Sequence, residues 1–244
     1  MSLYTYGTIL QEVQDACVQL NLVKPTGVFD TNDENALIMG SYGNIIGTML
    51  QDINQWQQFY KTFTIIGDAT KLDFDLPPDF SRMTDDTGWS YSKRRPVIIL
   101  NQQSWAAIKS WLSQSFFINP ACLLQDDKVT FMVAPGLGEK ITFSYTSKYW
   151  VIDGTDPAVF KERLDSNADI PMHDSILFTI ALRIKWLESR GMNTTGAQQD
   201  FNERFKMLTM RNNMAQNLSL NGGTFTGFRY LDNFWNTPDT NIGY

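Results

Sequence analysis

The spacing of apolar residues changes twice along this chain, and this change limits the fold more than any other feature. Near the amino terminus Ile9, Val13 and Cys17 recur at helical spacing, and helical spacing returns after residue 171. Between residues 62 and 170 the period falls to two, which is typical of β-strands. The sequence therefore predicts an α+β protein: a helical bundle body with an antiparallel β-rich insertion.

Residues 1–61, the first part of the predicted helical body, contain two helices. Thr8 and Gln11 have the spacing of a capping box, and the first helix ends before Pro25. Asn32 or Asp33 is placed to cap the longer second helix. We expect that helix to bury the residues Ile46, Met49, Ile53, Trp56 and Tyr60, which recur at helical spacing.

Three glycines, Gly40, Gly43 and Gly47, lie inside the second predicted helix. Each glycine weakens a helix by about 1 kcal/mol relative to alanine, so a cluster of three needs an explanation. Either another backbone passes close to this side of the helix, or the first half of the helix is frayed.

The predicted β-rich insertion spans residues 62–170. Three apolar runs separated by turn residues predict an antiparallel meander: Ala121–Leu124, Lys128–Val133 and Lys140–Tyr149. Before them, Asn101 is placed to cap a short helix that carries Trp105. Residues 153–169 are acidic and have little periodicity, so we expect a long exposed connection there.

The second part of the helical body is predicted at residues 171–217. Its first helix has Asp174 as the amino-terminal cap and Gly191 as a left-handed carboxyl-terminal residue. We expect its buried stripe to be Ile176, Ile180, Ile184 and Leu187. We also expect that Leu187→Ala destabilises the protein by about 2 to 5 kcal/mol.

The last predicted helix, at about residues 197–216, carries two apolar faces. Phe201, Phe205 and Leu208 form one face, which can fill the core of the subunit. The other face needs a partner, either the β region of the same subunit or a neighbouring subunit. It consists of Met207, Met210 and Met214.

Residues 218–244 form a predicted extended C-terminal tail, since apolar periodicity disappears there. Aromatic and arginine side chains are the types that dominate binding interfaces, whereas flexible linkers contain few of them. We therefore expect the tail to become ordered when it docks on a neighbouring subunit or on another partner. Its candidate contact residues are Phe225, Phe228, Arg229, Tyr230, Phe234, Trp235 and Tyr244.

The formal net charge is −6, and acidic residues outnumber basic ones in both halves of the chain. This balance argues against general nucleic-acid binding, which needs a concentrated basic surface. The one basic cluster is Lys93, Arg94 and Arg95. It is either a solvated turn or a contact with an acidic neighbouring chain.

Residue types suited to catalysis are few. His173 lies beside Asp174, but no nucleophile has a recognisable setting, so capping and solvent exposure explain this pair. The acidic pairs Asp85-Asp86 and Asp126-Asp127 resemble glycosidase carboxylates only superficially and are expected to be turn residues. We expect no enzyme, and we expect alanine at Asp85, Asp86 or His173 to be tolerated.

Metal and cofactor sites are not expected either. One histidine and two distant cysteines, Cys17 and Cys122, do not supply a zinc ligand set, and both thiols are expected to be free and buried. The chain has no basic leader segment followed by an apolar one and no apolar run of ~18 residues. We therefore expect a soluble protein made in the cytoplasm, with no membrane partner.

Several short motifs, none specific alone, follow one another in a recognisable order. They are Glu12-Val13, Ala16-Cys17, Leu20, the Pro25 turn, the long helix ending near Trp56, Leu76-Pro77-Pro78-Asp79-Phe80, Thr87-Gly88-Trp89, Arg95-Pro96, Asn101 with Trp105, the hairpin to Pro135, Tyr145-Thr146-Ser147-Lys148-Tyr149-Trp150, the helix 174–191, and Asp200-Phe201. In order and spacing, from about Leu10 to about Leu218, the chain resembles the head-to-tail adaptor, or tail accessory, proteins of short-tailed bacteriophages.

This resemblance implies a structural virion protein at the head-tail junction. Family members form a ring, typically of twelve copies, beneath the portal protein and above downstream tail or nozzle proteins. Double-stranded DNA passes through the ring during ejection without specific binding, and no catalytic residue or cofactor comes with the family. The tail of this chain is longer and richer in aromatic residues than the family pattern, so its contacts are not implied.

Two other functions compete with this interpretation. The tryptophans and acids of the β region also suit a tail-associated carbohydrate-active enzyme or sugar-binding module. Another ring-forming connector, such as a tail terminator, has the same general requirements for its interfaces. A reducing-sugar assay on host polysaccharide separates the first alternative, and the identity of the neighbouring proteins separates the second.

Overall fold

A computed structural model describes residues 6–84, 87–110 and 119–212, and these residues form an α+β protein. The helices are α1 Ile9–Gln19, α2 Glu34–Ile53, α3 Gln102–Lys109, α4 Ser175–Ser189 and α5 Thr195–Asn212. The strands are β1 Tyr60–Ile66, β2 Asp73–Asp75, β3 Phe80–Met83, β4 Trp89–Ser90, β5 Arg95–Pro96, β6 Ile98–Leu100, β7 Ala121–Gln125, β8 Lys128–Phe131, β9 Lys140–Ser147, β10 Val151–Ile152, β11 Phe160–Lys161 and β12 Ile170–Pro171.

The described residues group into two compact units. The first unit contains residues 6–63, 76–84 and 143–212, and the second contains residues 64–75, 87–110 and 119–142. The predicted insertion began at residue 62 and ended at residue 170. Residues 76–84 and 143–170 instead group with the helices.

In the first unit α1, α2, α4 and α5 pack around a shared apolar core. The predicted capping box of α1 is confirmed, since the Gln11 N–H donates to Thr8 Oγ1 and the Thr8 N–H donates to Gln11 Oε1. Asp33 caps α2 by accepting from the Asn35 N–H at 3.0 Å. These local bonds satisfy backbone donors that a helix start leaves unpaired.

The buried side of α4 differs from the predicted stripe. Ile180 is buried as predicted, but Ile176 is exposed and Ile184 and Leu187 are only half-buried, so the rest of the predicted stripe was wrong. The helix packs against α1, α2 and α5 at once, which buries a broad surface of Leu177, Phe178, Ala181, Leu182 and Trp186. Its ends are as predicted: Asp174 caps the start, and Gly191 has φ +65° after the end.

The glycines of α2 lie on its buried side, where large side chains, rather than another backbone, pack closely against the helix. A Cβ atom at position 47 would lie 2.1 Å from Cη2 of Trp150, and one at position 40 would lie 2.7 Å from Cγ1 of Val28. The predicted apolar face of α2 was right only in part, since Ile46 and Trp56 are buried as expected. Met49 and Ile53 are exposed, and the helix ends before Trp56 and Tyr60.

Residues 153–169 are largely exposed, as we expected, but they are not an unordered connection. Short strand β10 pairs with β11 and β12, and Leu164 and Asp169 are buried. Polar bonds hold this segment in place: Asn167 Oδ1 accepts from the Val28 and Phe29 N–H groups, and the Lys161 ammonium lies 2.9 Å from Asp169. Such bonds order a backbone that has no apolar periodicity, so the sequence pattern predicted the exposure of this segment but not its order.

The second unit contains a four-stranded sheet in the order β2-β8-β7-β6. The hairpin of β7 and β8 is antiparallel as predicted, whereas β6 and β7 are parallel. The predicted meander was wrong beyond this hairpin, because β9 pairs with β3 and β4 instead of continuing from β8. Helix α3 begins after Asn101, whose Oδ1 accepts from the Ser104 N–H, and it packs on this sheet through Ile108.

The close contact of Gly47 with Trp150 leads to a testable prediction. We expect Gly47→Ala to lower the free energy of unfolding by about 3 kcal/mol or more, because the added methyl group overlaps a fully buried indole ring. Urea unfolding at neutral pH measures this change. The matched control is Gly196→Ala in α5, where nothing lies within 4 Å; it should stay within about 1 kcal/mol of wild type.

Candidate interface residues and buried polar clusters

Asp79 is the centre of a buried polar cluster in the first unit. Its carboxylate accepts hydrogen bonds from the Lys61 ammonium at 2.6 Å, the Tyr145 hydroxyl at 2.8 Å and the Ser147 hydroxyl at 2.9 Å. Burial raises the pKa of Asp79, but these three donors outweigh it and hold the pKa below its ordinary value. The cluster joins the Leu76–Phe80 turn to the Tyr145–Trp150 segment, two of the motifs that carry the phage-adaptor resemblance.

Asp174 links two helices in the same unit. Its carboxylate accepts from the Leu177 N–H as the cap of α4, and it also receives Arg204 of α5 through two bonds of 2.9 and 2.7 Å. A bidentate arginine-carboxylate pair fixes both distance and orientation. Sequence reasoning found the cap but not the arginine, which lies 30 residues away.

His173 is a packing residue, in contrast to the solvent exposure that we expected. It is 2% exposed, its Nε2 lies 3.0 Å from the Gly47 carbonyl oxygen, and its ring lies against Phe59, Trp150 and Phe178. Burial lowers the pKa of this imidazole to about 4, so the ring is neutral at physiological pH. The expectation that alanine is tolerated here was based on exposure, and that basis was wrong.

Glu12 lies on the buried face of α1, close to Gly7 and Ser175. Burial raises the pKa of its carboxyl group well above the ordinary value of 4.5, and Asp174 and Asp15 raise it further. Such a group is stable in the core chiefly in its protonated form. Its conspicuous position in the helical repeat, four residues before Ala16, is the only sequence signal of this burial.

The cysteines and the acidic pair Asp126-Asp127 lie in the core and in a turn, respectively. Cys17 and Cys122 are free and buried, as predicted, and burial raises the pKa of Cys122 to about 12. Asp126 and Asp127 have φ values of 49° and 58° and form the two-residue turn of the β7–β8 hairpin. Within residues 6–84, 87–110 and 119–212 no group of three or more potential metal ligands comes together. Asp85 and Asp86 lie outside the described residues.

Two cavities open on the first unit. One of about 500 Å³ lies beside α2, and its lining includes Phe29, Leu37 and Arg163. The other, of about 300 Å³, is lined by Gln51, Asp52, Ser81, Arg82 and Thr146. Neither lining contains a histidine or a cysteine.

An exposed apolar row on α2 was missed by sequence reasoning. Leu37, Ile45, Met49 and Ile53 are each 43 to 54% exposed, and with exposed Ser41 they form a continuous row at four-residue intervals, named here the α2 ridge. Rows at this spacing are the ridges by which helices pack against neighbours. The signal was present in the sequence, but the same residues also fit a buried stripe.

The predicted second face of α5 is also exposed. Met207 is 46% exposed and Met210 is 59% exposed. Leu208, between them in sequence, is fully buried, and the ring centroid of Phe205 lies 5.8 Å from that of Trp56. The core of the subunit therefore does not cover Met207 and Met210, and the interface assignment stays a prediction. Several other predicted interface residues lie outside the described residues: Met214, Phe225, Phe228, Arg229, Tyr230, Phe234, Trp235 and Tyr244.

Lys93 and Arg94 lie in an exposed turn between β4 and β5 in the second unit, and Arg95, also exposed, is the first residue of β5. The Lys93 ammonium lies 3.4 Å from the buried carboxylate of Glu139, which also accepts from Ser90. Part of the positive charge of this turn is thus neutralised within the unit. Its assignment as a partner contact stays a prediction.

Neither a protein-family model nor a curated protein matches this chain. None of the described helices is sufficiently long and apolar to cross a membrane.

The burial of Glu12 predicts a pH-dependent effect of Glu12→Gln. A raised folded-state pKa stabilises the fold fully below the unfolded value near 4.5, and this contribution is lost as the pH rises. We therefore expect the neutral glutamine variant to gain stability relative to wild type between pH 5 and pH 8. Urea unfolding across this range measures the difference in stability between the variant and wild type. His173 is present in both proteins, so its titration does not contribute to this difference.

A suitable control is Glu203→Gln on the exposed side of α5, which should change stability little at any pH. A Glu12→Gln variant that loses stability equally at pH 5 and pH 8 would contradict the assignment of a protonated, buried carboxyl group.

Proposed function

We propose that this chain is a structural subunit of the adaptor ring that joins the portal to the tail of a short-tailed bacteriophage. The observation that carries the proposal is the pair of exposed apolar surfaces on one helical unit. Met207 and Met210 on α5 and the α2 ridge together expose six large apolar side chains. Contiguous apolar surface of this kind marks contacts with other proteins.

The polar clusters support the proposal because their buried carboxylates are paired with cationic side chains of the same subunit. Asp79, Asp174 and Asp169 are each occupied by a lysine or an arginine, and each tie holds separate segments of the chain together. Carboxylates used in this way stiffen a subunit instead of meeting a substrate. The motifs of the phage-adaptor resemblance are among the segments joined, which gives those residues a structural reason to be present.

In this proposal the chain has a helical bundle body, an antiparallel β-rich insertion and an extended C-terminal tail. Twelve copies form the ring, with the portal on one side and tail or nozzle proteins on the other, at the head-tail junction of the virion. The subunit charge of −6 suits a conduit for genome retention and ejection, since DNA meets repulsion rather than adhesion along an acidic bore. Catalysis and cofactors have no part in this role.

The proposal predicts a closed ring in the presence of the portal. We expect native mass spectrometry of the protein mixed with the portal to give one complex of fixed stoichiometry, near twelve copies. Met207→Lys combined with Met210→Lys should reduce the amount of this complex, because two charges would be buried in the subunit contact. Free monomers alone in the wild-type mixture would contradict the proposed function.

The control for the methionine variant is Met192→Lys. Met192 is 58% exposed and lies between α4 and α5, away from the predicted face. It should assemble as wild type does. Equal loss of the complex in both variants would show that added charge, rather than the α5 face, is responsible.

A further inference from the structure

The α2 ridge ends beside a groove. Leu37 and Ser41 belong to both features, and the lining of the groove, which has a volume of about 500 Å³, includes Phe29 and Leu164. Arg163 is also a lining residue, and it is exposed. The lining also contains the polar residues Ser41, Asn44 and Asp165. An aromatic ring can contact the apolar side chains of this groove and receive the Arg163 guanidinium on its face.

The carboxyl-terminal end of α5 is held near the other end of the ridge. Asn212, the last residue of α5, is buried and donates to the Gln55 carbonyl at 2.7 Å. Its own side-chain and backbone oxygens accept from Gln57 at 3.0 and 2.7 Å. Asn212 is therefore held beside residues that lie two and four positions beyond Ile53, the last residue of the ridge.

The chain that follows α5 can be compared in length with the α2 ridge of its own subunit. The ridge of one subunit is about 24 Å long, from the helical rise of about 1.5 Å per residue between Leu37 and Ile53. Residues 213–224 contain no aromatic side chain, and they span up to about 40 Å when extended. The linker is thus long enough for Phe225, the first aromatic residue, to pass the ridge of its own subunit and meet that of an adjacent copy.

We propose that the aromatic segment, residues 225–244 of one copy, docks on the α2 ridge and adjoining groove of a second copy. The segment contains five phenylalanine, tyrosine and tryptophan residues before its terminal tyrosine and only three charged residues, Arg229, Asp232 and Asp239. Its rings cover the exposed aliphatic row, and one ring occupies the groove beneath Arg163. This inference rests on the proposed function, because it requires several copies to lie side by side.

Such exchange of tails also explains how weak single contacts produce a stable assembly. Ordering an extended segment reduces the affinity of each contact. In a ring every subunit gives one tail and receives another, so the contacts act together. A closed set of equivalent contacts is the usual arrangement of identical subunits.

The decisive experiment is photo-cross-linking in the full-length chain. A copy with p-benzoylphenylalanine in place of Phe228 is mixed with ¹⁵N-labelled wild-type chain, both alone at high concentration and with portal. We expect cross-links that join the light tail to residues 37–53 or 163–164 of the heavy chain. Cross-links confined to the light chain, to the portal or to other surfaces of the heavy chain would overturn the inference.

A ridge variant gives an independent test. Ile45→Gln combined with Met49→Gln on the heavy chain should reduce the yield of these cross-links about tenfold, since apolar burial on both residues is lost. The control is Val18→Gln, a similarly exposed aliphatic residue on α1. Both variants should melt as wild type does, and an undiminished yield in the ridge variant would refute the docking site.

The two proposals fail in distinguishable ways. A ring that forms with the portal but gives no cross-link between tail and ridge leaves the proposed function standing and overturns the tail inference. Cross-links between copies that form alone, together with no binding to the portal, support the tail inference and contradict the adaptor role.

Discussion

The packing of Trp150 against Gly47 is the contact on which the first unit depends. The indole lies where any side chain at position 47 would be, and His173 and Phe178 lie against the same ring. Because Trp150 follows β9 and precedes β10, this contact holds the segment after β9, residues 148–171, against α2. It also keeps the His173 imidazole dry and neutral, with its ring nitrogen against the Gly47 carbonyl. Close-packed interiors tolerate little change at such points.

Ion pairs and side-chain hydrogen bonds hold the parts that apolar packing does not reach. Lys61 with Asp79, Lys161 with Asp169, and Arg204 with Asp174 each place a cation against a buried carboxylate. Removing one partner from such a pair leaves a buried charge unpaired, which is more costly than the net value of the pair itself. A subunit stiffened in this way can present apolar rows such as the α2 ridge with little change of shape, which suits repeated contacts in a ring.

The candidate site was predicted from sequence only in part. The exposed methionines of α5 were found because Met207 and Met210 lie opposite a second apolar row on the same helix. The α2 ridge was missed because Met49 and Ile53 satisfy the spacing of a buried stripe as well as that of an exposed one. Periodicity identifies that two sides of a helix differ, but it does not identify which side faces the core when both carry apolar residues.

Local interactions were determined by the sequence alone. The Thr8 and Gln11 box, the caps at Asp33, Asn101 and Asp174, the left-handed Gly191 and the β7–β8 turn all depend on residues within a few positions of each other. Only the tertiary structure decided the burial of Glu12 and His173, the partners of β9 and the order of residues 153–169. Each of these depends on groups that are distant in the chain, such as Asn167 bound to Val28, and short-range patterns carry no information on such pairs.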